Sequence, residues 1–344
     1  MVYEVNNMKP RIVTHGNCTD GFCSAFMVKR YFNLLFGTGL SEKEIQEIPI
    51  LGTQPQDVQQ GKVTLTKGDI VLDLPKPSSK VLFWCDHHLS NKPEEDQSEN
   101  YFWKVSPSCT GYLINLLIDR GVMLTDELRT FKEAIDTNDG GNFSKGDIKA
   151  CYYPHENYYN PTSLQKLAMI GAMFNTKDFT LNEQMFRTLL SLKPADTPLV
   201  SPAISQLNPE LYHRAQLENY RLWRKCVDTY LEYKEEARTV LQDDRKVKFI
   251  PGVADRFYSY MKFQEASYNL VVRRPEEETI RIGMGSNIFH KDRCKLDLGG
   301  LCSEVGKKFG GTGGGHYYVG GATIRAEKCD QAIAFILGRL EKSI

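Results

Sequence analysis

At 344 residues, 41% hydrophobic and 25% charged, the chain has the make-up of a soluble globular protein of about two domains. Lysine plus arginine equals aspartate plus glutamate at 43 each, so no global field draws it to long duplex nucleic acid or an anionic membrane. No run approaches the ~20 apolar residues of a membrane span, and the opening MVYEVNNMKP lacks the apolar core of a secretory signal. Nine cysteines without a CxxC pair argue against a disulfide framework or a zinc ribbon, and the expected home is a reducing cytoplasm.

Residues 11–14 read as a first strand ending at His15 in HGNCTDGFCSA, followed by a helix with apolar positions from Phe22 to Leu35 at helical spacing. His15, Asn17 and Asp20 then share one small volume, although Asp20 taken singly reads as the cap of that helix. Residues 68–74 form the next strand, with Asp73 at its end and prolines stopping it. Residues 81–84, Val-Leu-Phe-Trp, suit a strand buried on both faces, and Asp86, His87 and His88 emerge where it stops. In open α/β sheets ligands bind in the crevice beyond the carboxyl ends of the strands. An acid or an imidazole at each strand end is therefore more than a set of ordinary turns.

Residues 91–100 read as a polar, acidic loop. Ser106 to Gly111 opens a helix whose hydroxyls, Ser108 and Thr110, and free amides are suited to a phosphate or to plain capping. A second helix from Thr125 delivers Asp136 in AIDTNDGGN, with Asp139 competing for the same role. Residues from 161 on read as helical, prolines at 194, 198 and 202 mark a boundary, and residues 209–244 form a long amphipathic connector. The last hundred residues change character: strands at 246–250, 268–272 and 280–284, a helix at 298–309, the glycine run ending in Gly313, Gly314, Gly315 and His316, a strand from Tyr317 and a final helix at 327–341. The expected architecture is α/β: a mostly parallel-sheet catalytic domain at 1–195, a helical connector at 196–245, and a smaller α/β substrate-binding domain at 246–344.

His15, Asp20, Asp73, His87 and Asp136 give two imidazoles and three carboxylates, a mixed nitrogen and oxygen set that suits Mn²⁺ better than a structural zinc. One carboxylate shared by two ions, with Asp73 the candidate, would set them ~3.5–4 Å apart for in-line attack of water on phosphorus. A glycine run is usually a flexible loop, but it can also turn amides toward an anion without Cβ obstruction, and His316 with Lys307 and Lys308 can complete a phosphate or ribose pocket.

With HGNCTDG, IVLD, CDHH, AIDTND and GGGHYYVGG in this order, the chain resembles the DHH phosphoesterase superfamily, in the branch with a DHH-associated C-terminal domain. The form of the first motif is similar to an oligoribonuclease or cyclic-nucleotide phosphodiesterase-like branch. The resemblance implies two Mn²⁺ ions, with Mg²⁺ or Co²⁺ as substitutes. It assigns one ion to His15, Asp20 and Asp73 and the other to Asp73, His87 and Asp136. It further implies that Asp86 orients His87, that His88 contacts the substrate phosphate, and that His316 with its glycines holds the distal nucleotide. Many members carry two acids in the first motif, whereas Thr19, Gly21 and Phe22 surround Asp20 here. The second ion is then short of a ligand, weakly held, or served by Asn17 or water. The implied activity is Mn²⁺-dependent hydrolysis of short oligonucleotides, as by a nanoRNase, or of dinucleotides. A small phosphate ester is the expected partner, and a homodimer is an admissible assembly. The alternatives are an inorganic polyphosphate or pyrophosphate hydrolase, and a non-catalytic binding protein on the same fold.

Overall fold

The computed structural model describes residues 9–16, 18–94, 99–152, 162–173, 210, 213–221, 224, 238–239, 246–249, 260–261, 264, 266–273 and 278–342. The chain divides into two units: Met1–His87, Lys92–Asn142 and Lys149–Tyr220 make the first, and His88–Asn91, Phe143–Ile148 and Arg221–Ile344 the second. Most of the expected connector, and the helix expected around Met185 to Leu190, lie outside the described residues.

The first unit is built on a five-stranded, wholly parallel sheet in the order β2-β1-β3-β4-β5. Its strands are β1 (Arg11–His15), β2 (Ile50–Thr53), β3 (Asp69–Leu72), β4 (Phe83–Asp86) and β5 (Tyr101–Trp103). Because side chains alternate along a strand, Ile12, Ile70, Leu72, Phe83 and Cys85 share one core cluster, while Val13, Val71 and Trp84 belong to another. The larger cluster takes in helices α1 (Thr19–Arg30), α2 (Phe32–Phe36), α5 (Cys109–Asp119), α6 (Asp126–Gly140) and α8 (Ser163–Met173). The short helices α3 (Glu42–Glu47), α4 (Pro55–Gln59) and α7 (Lys145–Tyr152) complete the described set in this part of the chain. Neither β2 nor β5 is evident from the sequence, because ILGT carries a glycine and YFW is only three residues long. The order 2-1-3-4-5 reverses direction between β1 and β3. At such a switch point the carboxyl ends of neighbouring strands diverge and leave a crevice.

The second unit carries a six-stranded sheet in the order β10-β11-β9-β8-β7-β6, antiparallel except where β7 runs parallel to β8. The strands are β6 (Arg238–Thr239), β7 (Lys246–Phe249), β8 (Ala266–Arg273), β9 (Thr279–Ser286), β10 (Thr312–His316) and β11 (Val319–Arg325). Ile280, Ile282 and Met284 of β9 alternate inward against Leu298, Leu301, Cys302 and Val305 of α9 (Leu298–Lys308) and Ala332 and Ile336 of α10 (Cys329–Lys342). The strand expected from Tyr317 begins instead at Val319, because Tyr317 and Tyr318 form the turn of the β10–β11 hairpin. Among the described residues no helix is long and apolar enough to cross a membrane.

Candidate metal centre

Three strand ends supply the first donors. β1 ends on His15, β3 stops one residue before Asp73, and β4 stops one residue before His87. Asp73 has a positive φ of 54°, a left-handed conformation that a short polar side chain tolerates better than most, and its amide donates to Cys85 O on β4 at 3.0 Å. That reversal aims one carboxylate both ways. Its Oδ2 lies 3.4 Å from His15 Nδ1 and its Oδ1 lies 3.3 Å from His87 Nε2.

His87 is held by its other nitrogen, with Nδ1 2.9 Å from the Ser106 carbonyl oxygen. If Nδ1 carries the proton and donates it, Nε2 is left facing Asp73, Asp20 Oδ2 at 3.5 Å and Asp139 Oδ2 at 3.4 Å. Burial works against a charge on His87. The hydrogen bond of Asp73 and the charges of Asp139, Asp20 and Asp73 outweigh it and raise the pKa well above the usual imidazole range. Asp86, fully buried at the end of β4, lies in the same group, with a donor atom within 4.8 Å of those of Asp73 and His87.

Asp20 reaches the centre from α1, but it does not cap that helix. Cys18 is the N-cap residue, and the Asp20 carboxylate instead accepts the Cys109 amide at 2.6 Å and the Thr110 amide at 2.9 Å, at the start of α5. A helix start leaves amides unpaired and favours an anion; here that anion is the protein's own carboxylate. The Thr110 hydroxyl bonds the Asp20 carbonyl at 3.0 Å, and the Ser108 hydroxyl accepts from the Gly111 amide at 2.8 Å. Both residues are fully buried, with the Thr110 amide and hydroxyl engaged by Asp20 and the Ser108 hydroxyl by Gly111 and Asp136. Gly21 makes the approach of α1 to β1 possible, because a Cβ there would lie 2.7 Å from His15 O.

From α6 it is Asp139 that faces His87. Asp136 turns to Ser108 Oγ at 2.5 Å and Lys132 Nζ at 2.6 Å. The sequence left this choice open because residues three apart lie on one helix face. Cys18 was not singled out by sequence reasoning. Its Sγ lies 3.9 Å from Asp139 Oδ1 and shares a group with His15 and Asp73 in which the donor atoms lie within 4.8 Å of one another. A cysteine two residues before Asp20, in a turn leaving a strand, was the available signal. Asn17 lies outside the described residues.

The donor set fits a divalent cation. An imidazole fixed through its far nitrogen and ringed by buried carboxylates is the arrangement that orients metal ligands. Burial first, and then the charges of Asp73 and Asp139, push the Asp20 carboxyl up to about 8, with His87 and the bond to Thr110 working against the rise. A cation is the group that offsets so much buried negative charge.

In the second unit the glycine run is a strand and not an open loop. A Cβ on Gly313 would collide with Cys302 O, and one on Gly306 would collide with the backbone of Thr312, so these glycines let α9 lie directly on β10. The Gly315 amide donates to Ser90 Oγ at 3.3 Å, and a Cβ placed on Gly314 would lie 3.1 Å from the same oxygen. The His316 ring lies against the His88 ring with centroids 4.3 Å apart and planes tilted by 31°. Tyr317 donates its hydroxyl to Lys295 O at 2.9 Å, and Lys291 Nζ sits 5.0 Å above the Tyr318 ring.

No family model matches the chain, and no curated protein matches it. Solved structures do. The pGpG-specific phosphodiesterase PggH from Vibrio cholerae is similar with a TM-score of 0.58 at 19% identity, over 98% of this chain and 100% of its own. A DHH domain from a member of the s1p family of ribosomal proteins follows at 0.53 and 14%, over 96% and 87%. RecJ from Thermus thermophilus, in complex with Mn²⁺, gives 0.55 at 11%, over 97% of this chain and 52% of RecJ. With Asp86, His87 and His88 following the core of β4, the chain shares the fold of these DHH-domain structures.

Proposed function

We propose that this protein is a divalent-metal-dependent phosphoesterase that hydrolyses dinucleotides or short oligonucleotides, with Mn²⁺ as its working ion and Mg²⁺ or Co²⁺ as substitutes. The observation that carries the reading is the approach of Asp20, Asp73 and Asp139 to 3.5, 3.3 and 3.4 Å of one buried imidazole nitrogen, His87 Nε2. His15, Asp20, Asp73, His87 and Asp139 would hold the ions, with Asp73 shared because its two oxygens face His15 and His87 separately. When bound, such ions polarise a phosphoryl oxygen and lower the pKa of an attacking water.

The chain's own residues do the positioning. The Ser106 carbonyl keeps His87 in one tautomer and orientation, and the start of α5 keeps Asp20 aimed inward. His88 and His316, paired in the second unit, offer imidazole N–H groups to a phosphate. The likeness to a pGpG-specific phosphodiesterase supports a dinucleotide, and the balanced net charge supports a short ligand over a long duplex.

The test is a substrate panel in Mn²⁺: pGpG, pApA, pyrophosphate and polyphosphate. Mononucleotides should appear from the dinucleotides. Asp73→Asn and His87→Ala should each lose more than the roughly 100-fold that outer-sphere changes cost. Turnover of pyrophosphate alone would move the assignment to the inorganic substrates. No turnover by folded, metal-loaded protein would leave a binding role on this fold.

A further inference from the structure

We infer that Cys18 is a ligand of the metal centre, giving it a mixed thiolate, imidazole and carboxylate donor set at the position served by His15 and Asp73; this rests on the metal-centre reading above. Two independent observations support it. The first is placement: Cys18 Sγ falls within 4.8 Å of the donor atoms of His15 and Asp73, and lies 3.9 Å from Asp139 Oδ1. It therefore lies near the α6 carboxylate as well as the donors at the ends of β1 and β3.

The second is the absence of the role expected at that position. Cys18 is the N-cap of α1, with extended φ and ψ of −130° and 133°, where Ser, Thr, Asp or Asn would accept an amide hydrogen bond. Its side chain makes no such bond. A residue that gives up the cap while facing an imidazole and two carboxylates is better explained by what it faces.

The chemistry is ligand exchange. The S–H bond breaks as the sulfur lone pair is donated to the cation, and the proton leaves to solvent. A thiolate softens the site, so that Co²⁺ and Zn²⁺ gain on Mn²⁺ relative to a set made of oxygen and imidazole alone. Replacing the thiol by a carboxylate should reverse this preference.

The experiment is a Co²⁺ titration of the full-length protein, followed by near-ultraviolet absorption for the thiolate-to-cobalt charge-transfer band and by calorimetry for binding. The wild type should bind Co²⁺ and develop the band. Cys18→Ser should bind Co²⁺ without it. Cys18→Asp should lack the band and shift the binding preference from Co²⁺ toward Mn²⁺ relative to the wild type. Co²⁺ binding without the band in the wild type overturns the assignment of Cys18 while leaving the metal centre intact. A band that survives both substitutions belongs to another cysteine and overturns it equally. Failure of the wild type to bind either Co²⁺ or Mn²⁺ removes the metal centre itself, and the Cys18 assignment with it.

Discussion

At the scale of single residues, Asp136 and Asp139 show how two acids on one helix come to face different partners. They stand three apart on α6, and one turns to His87 while the other turns to Ser108 and Lys132. Asp139→Asn should therefore weaken Mn²⁺ binding by more than about 100-fold, read by calorimetry, because it removes a facing carboxylate. Asp136→Asn should leave the binding stoichiometry unchanged and lower stability by about 0.5–2 kcal/mol in denaturant melts, the range for a compromised helix cap. The opposite ranking would reverse the two roles. The motif could name both acids but not choose between them, since the choice depends on which way a helix of the expected length is rotated. His15, Asp73 and His87 were legible for a simpler reason. Each follows a short apolar run, and a strand end fixes where the next side chain goes.

At the scale of elements, α5 and β10 both do something other than the sequence suggests. Ser108 and Thr110 read either as phosphate binders or as plain caps, and the free amides at the start of α5 are taken by Asp20. No local pattern reveals a partner that lies 89 residues away in the chain. The glycine run reads as an anion-binding loop, but β10 pairs with β11 residue for residue and is glycine-rich because α9 lies on it. Gly313→Ala should consequently lower stability by roughly 1–3 kcal/mol through overpacking against Cys302 O, measured by thermal unfolding. Mn²⁺ stoichiometry should be unchanged in that variant, because its effect falls in the second unit. Loss of Mn²⁺ binding on Gly313→Ala would show that the two effects are not separable.

At the scale of the whole molecule, a parallel sheet followed by a smaller α/β part was legible from the change in pattern after the connector, and the strand order and the antiparallel pairing of the second sheet were not. Switch-point topology depends on which strands pair, and β2 and β5 are too short or too glycine-bearing to announce themselves. The same topology concentrates three carboxylates in one buried volume, so the native state should gain from a cation that the unfolded chain does not gather. Mn²⁺ at about 100 times its dissociation constant should stabilise the protein by about 2.7 kcal/mol, seen as a rise in Tm that chelation reverses. Asp73→Asn should abolish the rise. The most direct test of the central claim is an anomalous difference map at the manganese edge from crystals grown with Mn²⁺. The account predicts density enclosed by His15, Asp20, Asp73, His87 and Asp139; density elsewhere, or none at saturating Mn²⁺, would contradict it.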